Sequence, residues 1–253
     1  MSTRFSRMRQ AVVGWLYPPA CGACDLPLEA ARQLVKPFLC EACEGTLAPI
    51  GSHYCRVCGQ GFESASATPF RCANCGDREL AIDFAVSAYR GSGVGKGLMH
   101  HFKYGKQRHL GRLFGVMLDE VWRDERLHRE SWWVVPVPLH PSRLRERGFN
   151  QSRELALELI RRAPAGIDLS LQPILRRVKQ ATRQAQLDRR HRLTNLADTY
   201  EARKKLPLAP PGGARILLVD DVITTGTTVS ECAAALHERL EIAKIAAVSV
   251  LRG

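Results

Sequence analysis

A chain of 253 residues, 45% hydrophobic and 25% charged, can hold one medium domain plus a small one, with the balance of a globular protein. No run of eighteen apolar residues occurs, so no membrane span is expected. The net charge of +12 is uneven: residues 139–192 carry thirteen basic and five acidic side chains while 1–80 and 193–253 are nearly balanced, which favours a polyanionic partner over a merely soluble surface.

Arg4, Arg7 and Arg9 precede a short apolar run, Ala11 to Tyr17, that contains Gly14 and ends in Pro18-Pro19. That run is short for a secretory leader, and residues 1–20 read as an amphipathic N-terminal helix or tail. Eight of the nine cysteines then fall as Cys-x-x-Cys pairs: Cys21/Cys24, Cys40/Cys43, Cys55/Cys58 and Cys72/Cys75. Each pair can form a knuckle that aims two thiolates at one metal, and two knuckles complete a tetrahedral zinc site. Two structural zinc ions are expected, held over residues 21–80, with sequential pairing of the knuckles keeping each loop short and a nested pairing also open. Four thiolates leave no position for a substrate, and a segment this poor in large apolar side chains needs such staples to fold. His53, two residues before Cys55, reads as a loop histidine, and Cys232 as a packing residue.

From Ala81 the pattern becomes that of an α/β domain extending to Gly253. Ile82, Phe84, Val86 and Ala88 alternate along a strand, and the glycines at 91, 93, 95 and 97 read as a turn. His100 and His101 read as helix surface. Leu110, Leu113, Phe114, Met117, Leu118 and Val121 keep helical spacing. Trp132 to Pro138 reads as a buried strand whose prolines force its end. Asn150 or Ser152 caps a following helix. Leu171 to Val178 and Leu196 to Ala202 read as strands, and the polar stretch Lys179 to Arg192 between them as a loop or lid; a loop of that length is usually functional. Leu206 to Gly213 is a linker, and Ile245 to Leu251 closes the sheet.

The densest signal is Arg215 to Thr228. Ile216 to Val219 form a buried strand, Asp220 and Asp221 follow at its carboxyl end, then Thr224-Thr225-Gly226-Thr227-Thr228, then a helix from Val229 to Leu240. Loop N–H groups and a helix N-terminus attract an anion, the lack of a side chain at Gly226 permits close backbone approach, and the carboxylates suit ribose hydroxyls, directly or around magnesium. This segment resembles the phosphoribosyl-pyrophosphate (PRPP) motif of type I phosphoribosyltransferases, with Thr227 where many members carry Gly.

Four features in order, the cysteine knuckles, Val135-Pro136-Val137-Pro138, Arg147-Gly148-Phe149-Asn150-Gln151 and the PRPP-like segment, resemble the ComF family of competence-associated, amidophosphoribosyltransferase-like proteins. The resemblance implies a double zinc ribbon before a type I phosphoribosyltransferase-like parallel sheet flanked by helices. It implies a cytoplasmic protein of natural competence, DNA uptake and single-stranded DNA processing, with DNA-uptake or helicase machinery as partners. Asp220 and Asp221 would hold the ribose and stabilise positive charge on it, Thr224, Thr225, Gly226, Thr227 and Thr228 would take the 5′-phosphate, and Val135 to Leu139 would sit at the pyrophosphate with magnesium, Val137 and Arg147 being among the PRPP-binding residues. Lys179 to Arg192 would match the catalytic loop. Phosphoribosyl transfer to an unknown acceptor, DNA handling with vestigial or regulatory PRPP binding, and purine or nucleotide salvage with a structural zinc domain are the competing functions. For the DNA reading, the basic segment 139–192 is the expected contact surface, with Phe149 available to stack and Arg189, Arg190 and Arg192 among its cations.

Overall fold

A computed structural model of the protein describes residues 20–28, 37–62, 71–76, 78–128, 131–178 and 199–253. The expected N-terminal helix, apart from Ala20, and the expected loop Lys179 to Arg192 lie outside the described residues. In chain order the elements are α1 (Glu41–Gly45), α2 (Ala73–Gly76), β1 (Phe84–Arg90), α3 (Gly93–Tyr104), α4 (Leu110–Leu118), β2 (Ser131–Pro136), α5 (Pro141–Arg147), α6 (Gln151–Arg161), β3 (Asp168–Leu171), β4 (Leu175–Arg177), β5 (Tyr200–Ala202), β6 (Ala214–Ile223), α7 (Thr227–His237) and β7 (Ile242–Arg252). Five of the strands make one sheet in the order β1-β7-β6-β2-β3, with every neighbouring pair parallel. β4 and β5 form a small antiparallel pair beside it. The expected parallel sheet flanked by helices, with a cysteine-rich region before it, is therefore present.

The apolar runs of the strands follow from burial on both faces. Along β6, Leu217 and Val219 face one cluster with α3, α4 and α6, while Ile216 and Leu218 face the other with α7, β4 and β5. Phe102, Phe114, Met117, Leu155 and Trp132 fill the first layer, and Val229, Cys232, Leu236 and Tyr200 the second.

Several boundaries differ from expectation. The glycines from Gly93 onward open α3 instead of making a turn: a Cβ on Gly95 would stand 3.4 Å from the Leu251 side chain, so packing against β7 overrides weak helix propensity. The stretch Leu171 to Val178 is split at Gln172-Pro173 into β3 and β4, which belong to different sheets. β7 does not close the sheet at an edge but lies between β1 and β6. β6 continues to Ile223, so Asp220 and Asp221 sit within its last four residues, with Asp220 in register with Ser249.

The edge of the sheet at β1 is covered by the cysteine-rich segment. Ile50 N–H donates to Ala88 O at 2.9 Å, Arg90 N–H to Ala48 O at 2.8 Å, and Ala85 N–H to Val57 O at 2.8 Å. An exposed strand edge invites pairing with another chain, and these bonds satisfy it internally. Beneath them Tyr54 Oη donates to the buried Asp124 carboxylate at 2.7 Å, which also pairs with Arg126 at 2.6 Å.

Candidate functional site

The cysteines sort into two quartets in sequential order, Cys21/Cys24/Cys40/Cys43 and Cys55/Cys58/Cys72/Cys75, with the sulfurs of each within 4.8 Å of one another. Tetrahedral Zn–S bonds of about 2.3 Å put sulfurs about 3.8 Å apart. Cys24 and Cys40 stand at 3.7 Å and Cys58 and Cys72 at 3.5 Å, so the donor sets fit zinc. In each quartet a backbone N–H also points at a sulfur: Cys40 N to Cys21 Sγ and Cys72 N to Cys55 Sγ, both 3.4 Å. Such bonds orient metal ligands. The second quartet is wholly buried, whereas Cys24 of the first is exposed. His53 is in neither group and Cys232 is buried in the second core layer, where burial pushes its thiol well up and leaves it unreactive.

At the carboxyl end of β6 the sequence motif is assembled as one unit. Gly226 adopts φ +81, a left-handed conformation that side chains disfavour, at the N-cap of α7. Thr225 Oγ1 and Thr227 Oγ1 are 2.8 Å apart and Thr225 Oγ1 accepts weakly from Thr227 N–H at 3.4 Å. Asp220 and Val222 to Val229, including Thr224 and Thr228, line a small open pocket. The first N–H groups of a helix lack partners inside it, and here they surround that pocket.

The acidic pair is divided by its partners. Asp220 Oδ1 accepts from Ser152 Oγ at 3.1 Å and from Asp221 N–H at 2.9 Å. Asp221 pairs with Lys103 Nζ at 2.6 Å. Burial, and after it the adjacent Asp221 carboxylate, push the Asp220 carboxyl up to about 7. Val137, just past the end of β2, donates its N–H to Val219 O at 3.0 Å and accepts from Asn150 Nδ2 at the same distance. Asn150 also caps α6 through its side chain, as expected. Gly148 ends α5 with φ +80. These turns bring Val137 beside the strand that carries the acids. Arg147 is held elsewhere, by Gln151 Oε1 at 3.0 Å and Tyr104 Oη at 3.1 Å, with its guanidinium 4.8 Å from the Tyr104 ring centre.

One expectation for the basic region needs correction. Phe149 is only 8% exposed and packs on Phe102 with ring centres 5.2 Å apart, so it is core and not free to stack on a ligand. Four of the region's thirteen basic side chains are paired within the described residues: Arg143 with Glu146, Arg161 with Glu158, Arg162 with Asp119 and Arg176 with Glu201. The exposed aromatic of this neighbourhood is Tyr104, 50% accessible and 4.9 Å from the His100 ring. Arg189, Arg190 and Arg192 lie outside the described residues.

Sequence reasoning missed Lys103 and Ser152. Lys103 lay in a visible basic stretch, His100 to Lys106, but its reach to Asp221 is a matter of tertiary placement.

The fold and these sites define a parallel α/β protein with an acidic strand end, a Thr/Gly loop and a paired four-cysteine zinc region. Residues 12–77 match the double zinc ribbon domain. The chain is 30% identical over 213 residues to competence protein F of Haemophilus influenzae, covering 81% of this chain and 86% of that protein. It is 26% identical to competence protein ComFC of Bacillus subtilis over 94% of this chain and 97% of that one, and 28% identical to the DNA utilization protein YhgH of Salmonella typhimurium over 79% and 91%. The chain belongs to the ComF family.

Proposed function

We propose that the protein binds PRPP with magnesium at Asp220, Asp221 and the loop Thr224 to Thr228, and that it uses this site while handling single-stranded DNA during uptake. The observation that carries the first half is the left-handed Gly226 between the acidic strand end and the N-terminus of α7. A bare anion site would have no use for two adjacent carboxylates, which repel it. Ribose hydroxyls and a divalent ion are the partners that accept both a donor-rich loop and an acidic pair. Val137 would border the pyrophosphate, which magnesium would neutralise, and Arg147 would reach it only by leaving Gln151 and Tyr104. Relatives named for competence and for DNA utilization support the DNA setting. Tyr104, with Arg147 beside it, offers a stacking face one residue along α3 from the Lys103 that reaches Asp221. Phosphoribosyl transfer would need an acceptor placed on that side.

Calorimetry with PRPP and magnesium tests the binding. Wild type should bind, and Asp220→Asn/Asp221→Asn should bind at least about tenfold more weakly, as expected when hydrogen bonds to charged groups are lost. Equal affinity of the two sinks the assignment. For DNA, affinity for an oligonucleotide should fall with salt by roughly 0.7 counterion per phosphate contact and should drop on Tyr104→Ala. No binding at low salt rejects that half.

A further inference from the structure

The second zinc quartet and the Thr loop share one side chain. Arg252 is 3% exposed. Its Nε donates to Cys58 O at 3.1 Å and its Nη2 to Cys58 Sγ at 3.3 Å. Its Nη1 donates to Ile223 O at 3.0 Å, Gly253 O at 2.7 Å and Thr224 O. One guanidinium thus holds a zinc ligand on one edge and the carbonyls that begin the loop on the other. Three further contacts run along the same seam. Asn74, between the last two cysteines, donates to Thr225 O at 3.4 Å. Ala81 N–H donates to Ser230 Oγ at 2.8 Å on α7. The Leu80 side chain lies 3.2 Å from where a Cβ on Gly226 would stand. The first quartet is placed differently: its Gly22 faces Leu110 and Leu98, and the Gly22 carbonyl oxygen lies 3.2 Å from His101 Nδ1, on the side of α3 and α4.

We propose that Arg252 is a positioning residue through which the metal state of Cys55/Cys58/Cys72/Cys75, and not that of the first quartet, sets the loop Thr224 to Thr228. Four thiolates around one divalent ion leave an excess of negative charge, and the buried guanidinium answers it at Cys58. Removing the ion frees the four-cysteine knuckle to relax, so Cys58 no longer fixes Nε and Nη2 of Arg252 in place. The guanidinium can then turn and let go of Ile223 and Thr224. The coupling is reciprocal by linkage: a ligand that orders the loop must hold zinc more firmly in the second quartet. The ligand arm of this inference rests on the PRPP reading above; the loop arm does not.

The test uses the full chain as wild type, Arg252→Lys and Asn74→Ala. Lysine keeps the charge but lacks the fork that spans two groups. Zinc transfer to a colorimetric chelator is followed with and without magnesium-PRPP, and amide exchange is followed by mass spectrometry over residues 223–229. In wild type, PRPP should slow the release of one of the two zinc ions by about tenfold, within the usual range of coupling energies. In Arg252→Lys that protection should vanish, and the loop amides should exchange about tenfold faster while both zinc ions remain bound at the start. A merely structural Arg252 would not make zinc release sensitive to PRPP. Equal protection of both ions, protection that survives in Arg252→Lys, or loop exchange unchanged in that variant overturns the proposal. If Arg252→Lys does not fold, Asn74→Ala, at a partly exposed position, decides: faster exchange at Thr225 and its neighbours supports the coupling and unchanged exchange overturns it. If wild type binds no PRPP, the PRPP reading fails, and the exchange comparison still settles the coupling in one direction or the other.

Discussion

Lys103 on α3 places its ammonium 2.6 Å from the Asp221 carboxylate at the end of β6, and both side chains are mostly covered. The pair ties one helical layer to the acidic strand end. Removing only the cation strands a covered carboxylate beside a second one. Lys103→Met should therefore destabilise the fold by about 1–2 kcal/mol, with some of the pair's strength lost to solvent screening. Asp221→Leu in the same background should recover part of that loss. Urea denaturation of the two single variants and the double variant measures the coupling; additive effects would show that the pair does not interact.

Asp220 should behave in the opposite sense. Its carboxyl is raised from 3.8 to about 7 by burial and by Asp221. A carboxyl raised on folding contributes stability that is present below its unfolded value and lost as pH rises through the folded value. Asp220→Asn keeps an acceptor for Ser152 and removes that loss. The variant should melt higher than wild type at pH 8, match it near pH 4, and bind PRPP more weakly. A variant less stable than wild type at both pH values would contradict this.

The site was largely legible because its chemistry is local in the chain. Asp220 to Thr228 are nine consecutive residues, and the four cysteine pairs carry their own spacing, so both signals survive without tertiary knowledge. The partners were not legible because they arrive from elsewhere: Lys103 from α3, Ser152 from α6 and Arg252 from the far end of β7. The glycines at 93, 95 and 97 misled for a related reason, since propensity argues for a turn and only contact with Leu251 argues for the helix. Phe149 misled as well. An aromatic among arginines suggests a ligand face, but Phe102 claims it for the core. The order of the sheet, with β7 inside, has no local signal at all.

The buried Asp124 should report on docking of the cysteine-rich segment against β1. Burial pushes its carboxyl up, but the hydrogen bonds from Arg126 and Tyr54 outweigh this and hold it at about 2. A depressed carboxyl contributes stability above its unfolded value that is lost as pH falls toward the folded one. Asp124→Asn should cost about 2 kcal/mol at pH 7, because Arg126 loses its charged partner. The deficit relative to wild type should shrink as pH falls from 3.8 toward about 2. Denaturant titrations of both proteins at the two ends of that range check the sign.

Metal removal should be stepwise. Cys24 of the first quartet is exposed, whereas all four sulfurs of the second are buried. A chelator must reach the ion or wait for the site to open, and a buried site waits longer. Zinc release should therefore be biphasic, with the first ion leaving from Cys21/Cys24/Cys40/Cys43. Cys24→Ser should abolish the fast phase alone; loss of the slow phase instead would reverse the assignment.

Gly226→Ala separates backbone strain from crowding at the loop. The position has φ +81, and an added Cβ would stand 3.2 Å from Leu80 Cδ1. The contact is tight, but it is with the far end of a flexible side chain, which can move by a few tenths of an ångström. The backbone cannot: β6 fixes one side and α7 begins on the other. A left-handed conformation costs an L-residue roughly 1–2 kcal/mol. Strain should therefore dominate, and Gly226→Ala should lose about 1–2 kcal/mol whether Leu80 is present or shortened to Ala. Asn, which tolerates the left-handed region, should lose less than Ala despite being larger. Melting curves of Gly226→Ala, Gly226→Asn and Gly226→Ala/Leu80→Ala decide between the causes. If shortening Leu80 restores the alanine variant, or asparagine is the worse of the two, crowding against the linker that follows the second quartet is the stronger effect.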